Sequence, residues 1–173
     1  MERLSYTIAD HNISILYNKT EAIEDLIPSF KSFKTFNNED KDLFTLILSG
    51  TPITMQGEEV TSFDWDGTFC RTSKGSANEI IVTIKLAGDE HEYTMVAGST
   101  YSVAKAYIGT TAPSFILSTI IMILYSFASA PFQTLLFHSS VIKLGENGYM
   151  FLGKSGTGKS THSRLWLSNI SGT

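Results

Sequence analysis

One octapeptide carries the clearest chemistry in the chain: Gly153-Lys154-Ser155-Gly156-Thr157-Gly158-Lys159-Ser160. It fits the pattern G-x-x-x-x-G-K-[ST], in which a glycine-rich turn presents backbone N–H groups to phosphate oxygens. Gly153, Gly156 and Gly158 permit backbone angles closed to other residues and let those amides approach an anion closely. Lys159 supplies a point charge for the β- and γ-phosphates of a nucleoside triphosphate. Ser160 supplies a hydroxyl for the Mg²⁺ that accompanies it. Lys154, Ser155, Thr157 and Thr161 complete the expected cradle, chiefly through their backbone amides. The expected ligands are therefore ATP, or another nucleoside triphosphate, and Mg²⁺, with Lys159 as both binding and catalytic residue.

Such a loop must join a strand to a helix, whose free N–H groups and positive dipole end then face the phosphate. Tyr149-Met150-Phe151-Leu152 is the apolar run that precedes it, turned by Gly145-Glu146-Asn147-Gly148 out of a strand expected over 135–142. Helical spacing follows, with Leu165 four residues after Thr161 and Asn169 four after Leu165. His138, on the earlier strand, is a candidate catalytic side chain near the phosphates; a structural histidine is the competing assignment. Arg164 is within reach of a phosphate or a carboxylate. His162 is assigned to a solvated helix face, and His11 and His91 to the surface.

The first hundred residues read mainly as strands. Ile13 to Tyr17 is a short apolar run, and Leu43 to Leu48 a compact strand closed by Ser49-Gly50-Thr51-Pro52. Thr20 to Ile27 reads as one or two helical turns, with Thr20 as N-cap and Pro28 as the stop. Ile80, Val82, Ile84 and Leu86 alternate with Ile81, Thr83 and Lys85, the period of a strand with one buried face. Ala87 to Glu90 turns it, and Tyr93 to Val96 returns. Phe63 and Trp65 are expected on one face of an earlier strand and Asp64 and Asp66 on the other. Paired acids there suit acid/base or metal chemistry, but Asp66-Gly67 is also a common hairpin turn, and the turn is the preferred assignment. Glu58-Glu59 and Asp89-Glu90 are assigned to loops.

Tyr101 to Ile108 is expected as a strand, with a break at Gly109 to Pro113. A helix from Ser114 to about Ala130 then contains the apolar stretch Phe115 to Ala128. Pro113 and Pro131 bracket that stretch, Ser118, Thr119 and Ser126 interrupt it, and no Lys or Arg flanks it closely. A buried helix is expected rather than a membrane span. The chain is thus expected to be mixed α+β: a β-rich domain over 1–110, followed over 111–173 by the start of a P-loop α/β domain.

Of 173 residues, 42% are hydrophobic and 17% charged, which suits a globular chain rather than a disordered one. A net charge of −4 gives no basic signature for nucleic acid. Cys70 is the sole cysteine, which excludes an internal disulfide and a thiolate cluster for zinc and fits a reducing cytoplasm. The N-terminal segment lacks the apolar core of a signal peptide. No nucleic-acid or membrane partner is expected, and homo-oligomerisation is left open.

The string Ser155-Gly156-Thr157-Gly158-Lys159-Ser160 resembles the loop G-x-S-G-x-G-K-[ST] shared by HPr kinase/phosphorylases and ATP-dependent phosphoenolpyruvate carboxykinases. The approach to it, Leu136-Phe137-His138-Ser139-Ser140-Val141 and the Gly145 to Gly148 turn, is similar to the HPr kinase C-terminal domain. In that family a histidine precedes the loop at the spacing of His138, which the resemblance makes an active-site residue. Thr161-His162-Ser163-Arg164-Leu165-Trp166-Leu167 looks like the HPr kinase-like serine kinases of uncertain substrate. The likeness spans about residues 130–170 and leaves the β-rich region unmatched. Lys154 stands where the regulatory enzymes usually carry an acid, which argues against HPr as phosphoacceptor.

In that family the base and the metal-binding carboxylates follow the loop helix, and here no acidic residue occurs after Glu146. The resemblance implies phosphoryl transfer to a hydroxyl of a protein, peptide or small molecule. The 173-residue chain is expected to be the first part of a longer kinase, inactive by itself. The alternatives are a nucleotide-sensing or peptide-binding module without turnover, and a carboxykinase-like enzyme acting on a small organic acid.

Overall fold

The computed structural model describes residues 1–18, 22–36, 41–65, 67–109 and 113–170. Its first two strands, β1 (Glu2–Ile8) and β2 (His11–Tyr17), pair antiparallel around Ala9 and Asp10. Both turn residues take positive φ, 46° and 64°, which is the twist a two-residue hairpin needs. No strand is expected over Glu2–Ile8 from the sequence, although Leu4, Tyr6 and Ile8 alternate there with polar side chains. A single turn, α1 (Ile23–Leu26), leads into a 3₁₀ helix over Pro28–Phe33. Thr20, the expected N-cap, lies outside the described residues, and Pro28 opens a helical turn rather than only closing one.

The next strands are the two-residue β3 (Lys34–Thr35), β4 (Phe44–Leu48), β5 (Glu58–Trp65), β6 (Thr68–Lys74), β7 (Ile80–Leu86), β8 (Glu92–Ala97) and β9 (Val103–Tyr107). They join the first hairpin in one nine-stranded sheet of order β3-β1-β2-β4-β9-β8-β7-β6-β5. β4 runs parallel to both β2 and β9, while β5 to β9 form an antiparallel meander. The register lines up Leu4, Ile15, Leu46, Ala104, Ala97, Met95, Val82 and Ile84 on one face, all buried.

α2 (Ser114–Ser129) covers that face, burying Ile116, Leu117, Ile120, Ile121 and Leu124 and touching β4 and β8. Between those two strands β9 offers only Ala104 and Ala106 to the covered face. Small side chains there let a helix backbone come close to the sheet. The helical stretch Ser114–Phe132 is long and apolar enough to cross a membrane by length and composition. Its burial is one-sided: Phe115 and Met122 stay about half exposed. Cys70 also lies in this core, where burial pushes its thiol pKa up.

Two features of the sheet depart from expectation. β7 is buried at Ile81 and Thr83 as well as at Val82 and Ile84, because the segment after β4 returns over its second face. β5 is an edge strand with Phe63 55% exposed, so it buries no apolar face there. Asp64 Oδ1 accepts the Gly67 N–H at 3.3 Å, a turn contact; Asp66 lies outside the described residues, so the pair cannot be placed together.

The chain divides into two compact units, Met1–Leu135 and Leu136–Thr173. The sequence places the division at 110/111 and the apolar helix with the second unit. The structure places α2 with the first, because the helix supplies the cover that the sheet's apolar face requires. The second unit contains β10 (Ser139–Leu144), β11 (Asn147–Leu152) and α3 (Lys159–Asn169). The molecule is thus a mixed α+β protein with one large sheet, one two-stranded sheet and few helices.

Candidate functional site

β10 and β11 pair antiparallel with Ser140 opposite Phe151 and Ile142 opposite Tyr149. Residues two apart on a strand share a face, so Tyr149 and Phe151 point the same way. Residues four apart share a face of a helix, which puts His162 and Trp166 together on α3. These two pairs meet. Phe151 lies edge-on to His162 at 4.9 Å and to Trp166 at 5.3 Å, and Tyr149 is 5.2 Å from Trp166. This aromatic contact sets the helix against the hairpin and so holds the loop between them.

Thr161, Leu165 and Asn169, whose spacing suggests a stripe, are exposed, while Ser163 is buried and Trp166 half-buried. Four-residue spacing identifies any helix face, and only the partner decides which one is covered. His162 remains exposed at its rim yet packs on Phe151, so it is not simply a solvated side chain.

The loop itself is closed. Thr157 donates both its N–H, at 3.4 Å, and its Oγ1–H, at 2.8 Å, to the Lys154 carbonyl. Gly158 adopts φ +86° as the residue before α3, a left-handed conformation that favours glycine. A Cβ at Gly153 would lie 2.8 Å from Thr157 Oγ1, so a side chain here requires Thr157 or the loop to move. Lys159 Nζ donates to the carbonyls of Gly153 and Lys154, each at 2.9 Å, and so sits across the loop mouth. The first intrahelical bond is His162 N–H to Gly158 O, at 2.8 Å, and no side chain caps the helix. The N–H groups of Lys159, Ser160 and Thr161 are left for an outside acceptor, the arrangement that binds anions.

Ser160 Oγ is 3.4 Å from Ser140 Oγ on β10. His138 immediately precedes β10, which runs from Ser139 to Leu144 rather than over the expected 135–142. It is exposed and makes no side-chain hydrogen bond among the described residues, two positions before the serine that meets Ser160. Arg164 is exposed, and its guanidinium has no acceptor among the described residues. Ser155 and Gly156 are exposed at the loop tip. His11, assigned from sequence to the surface, is instead a packing residue of the first unit. Its Nε2 is 2.9 Å from Thr134 Oγ1, and its ring meets Tyr125 and Phe132. His91 is exposed as expected, with Nδ1 3.6 Å from Asp89 Oδ1.

Among the described residues no three or more His, Cys, Asp or Glu side chains group together to hold a metal ion. A divalent cation at this loop would take the Ser160 hydroxyl from this set of residues and its other ligands from phosphate and water. The donors present fit a metal that arrives with a triphosphate. The Tyr149–Phe151–His162–Trp166 contact had a signal in the sequence, the matching of a two-residue to a four-residue spacing, and it is missed when each element is read singly. Comparison of the chain with protein-family models, with curated proteins and with solved structures finds no match.

Proposed function

We propose that the chain binds the phosphates of ATP with Mg²⁺ at Gly153–Ser160 and belongs to an HPr kinase-like serine kinase. The observation that carries this reading is the closed loop with the Lys159 ammonium held 2.9 Å from two of its carbonyls beside three uncapped helix amides. A cation and free N–H donors converging on one small volume stabilise a multiply charged anion and little else. Bound ATP supplies the transferable phosphoryl group. Lys159 exchanges its two carbonyl partners for phosphate oxygens, the amides of Lys159, Ser160 and Thr161 donate to the anion, and Ser160 Oγ offers a metal ligand.

His138 is assigned here as a side chain that assists near the γ-phosphate during transfer to a hydroxyl acceptor of a protein, peptide or small molecule. The carboxylate that would position this hydroxyl is not among the residues of the loop and its helix. The free Cys70 thiol and the use of ATP suit a cytoplasmic protein.

Binding is tested by titrating Mg-ATP against a Trp65→Phe variant, in which Trp166 on the loop helix is the remaining tryptophan. Saturable change in Trp166 fluorescence is expected, together with a rise in melting temperature from mass action. Lys159→Ala should abolish both responses. Unchanged titration curves in Lys159→Ala would remove the phosphate-site assignment.

A further inference from the structure

The second face of the large sheet carries a polar row that the nucleotide loop does not explain. Arg71, Thr83, Thr94 and Tyr107 stand directly opposite one another on β6, β7, β8 and β9. Cross-strand neighbours in register have Cβ atoms about 5 Å apart, so the four side chains form one continuous line across the sheet. The segment 52–57 passes over this line and borders an open groove of about 590 Å³. Ile53 and Met55 are its half-buried residues, alternating with exposed Thr54 and Gln56.

That roof is anchored at both ends. Ser49 N–H donates to Ala106 O at 2.7 Å, and Ser49 Oγ donates to Thr51 O at 2.7 Å. At the far end a Cβ at Gly57 would lie 2.6 Å from the Lys74 carbonyl, so the chain presses on β6 at a point that only glycine fits. The groove is a built feature of the first unit.

Its polar groups are unspent. Thr83 and Thr94 are 7% and 6% exposed, yet neither hydroxyl has a hydrogen-bond partner among the described residues. Every fully buried side-chain oxygen or nitrogen among those residues has a partner, so both hydroxyls open into the groove. The Arg71 guanidinium is half-buried and pairs with no carboxylate among the described residues. The acids nearby are otherwise engaged or peripheral. Glu59 accepts from Ser62 at 2.7 Å, Glu92 lies 3.9 Å from Lys85 Nζ, and Glu90 is exposed at the rim. An arginine with no carboxylate partner among the described residues, beside two threonine hydroxyls that open into the same groove, is a donor set suited to an anion.

We propose that this groove binds a small organic anion through its carboxylate or phosphate group. The Arg71 fork meets two oxygens of that group, and Thr83 and Thr94 donate to it or to the atom next to it. Ile53 and Met55 cover the apolar body of the ligand. The volume lies within the range of small-molecule sites and exceeds what a bare inorganic ion fills. The assignment does not depend on the nucleotide loop, and it extends the protein's chemistry to a second ligand.

The test uses full-length protein carrying Lys159→Ala, so that phosphate binding at the loop does not contribute. Amide chemical shifts are followed while inorganic phosphate, phenyl phosphate, succinate or benzoate is added to 10 mM. We expect saturable shifts at Arg71, Thr83 and Thr94 with at least one member of the phosphate pair or the carboxylate pair. Which pair responds identifies the anionic group, and a stronger response to the aromatic member places the apolar body under Ile53 and Met55. Arg71→Met should weaken that binding at least tenfold. Thr94→Val, close in shape to the native residue, should weaken it severalfold while the fold is retained, which guards against a misfolded arginine variant. No saturable shift with any of the four probes, or equal binding in Thr94→Val and wild type, would overturn the proposal.

Discussion

A methyl group added at Gly153 tests the loop geometry most directly. In Gly153→Ala the new Cβ would sit 2.8 Å from Thr157 Oγ1, against about 3.4 Å for ordinary contact. Thr157 has two ways to yield. Rotating its side chain gives up the 2.8 Å bond to the Lys154 carbonyl, worth about 1 kcal/mol. Keeping the bond instead moves the loop, at the cost of about 1–3 kcal/mol typical of overpacking. Either way the cradle holding Lys159 is disturbed, and Mg-ATP affinity should fall by about five- to 150-fold, the equivalent of 1–3 kcal/mol. The assay is the Trp166 titration in four proteins, each carrying Trp65→Phe: the otherwise native chain, Gly153→Ala, Thr157→Ala and the double variant. Removing Oγ1 leaves the Thr157 Cβ at 3.7 Å, an ordinary separation, so Gly153→Ala should cost little once Thr157 is alanine. Any intrinsic backbone cost at position 153 is common to both backgrounds and cancels in the cycle. Equal losses from Gly153→Ala in both backgrounds would refute the proposed contact.

Two further outcomes concern the first unit. Ala106→Leu inserts three carbons between the sheet and α2 and should destabilise that unit by about 1–3 kcal/mol, read as a lower urea midpoint with far-UV signal retained. Tyr6 and Tyr93 both have hydroxyl pKa values pushed up to about 12, first by burial, then for Tyr6 by the Glu24 charge and for Tyr93 by the bond to Asp89. A raised folded-state value contributes stability that is complete below pH 10 and is lost as pH rises from 10 toward 12. Urea midpoints measured across that window should fall, and less steeply in Tyr93→Phe, which removes one of these ionisations; burial also raises the Tyr17 and Tyr125 hydroxyls.

Local sequence was sufficient wherever a short stretch determines its own geometry. Gly153 to Ser160, the alternation over Ile80–Leu86, the 114–129 helix and the glycine turns all have backbone preferences that act over a few residues. The candidate site's contents were therefore legible: which amides, which ammonium and which hydroxyl the loop brings together. Its setting was not. The Thr161-Leu165-Asn169 spacing marked a helix but left its covered face open, because coverage depends on Tyr149 and Phe151 across the chain.

The same holds for the larger division. Helix α2 follows a turn-rich break and precedes the loop, and proximity in sequence assigned it to the loop's unit. Tertiary burial assigned it to the sheet, whose apolar face could be covered by no other element of comparable length, and so moved the boundary from 110/111 to 135/136. The row Arg71–Thr83–Thr94–Tyr107 shows the limit most clearly. Its members are spread over 37 positions, counted from 71 to 107, and nothing in their spacing links them. Strand register placed them side by side, and the return of segment 52–57 over them turned a sheet face into a groove. The sequence by itself determined the glycine-rich loop and the alternating strands, because local backbone geometry suffices for both. Helix coverage, the unit boundary and the second groove rest on contacts between distant residues, which only the folded chain brings within reach.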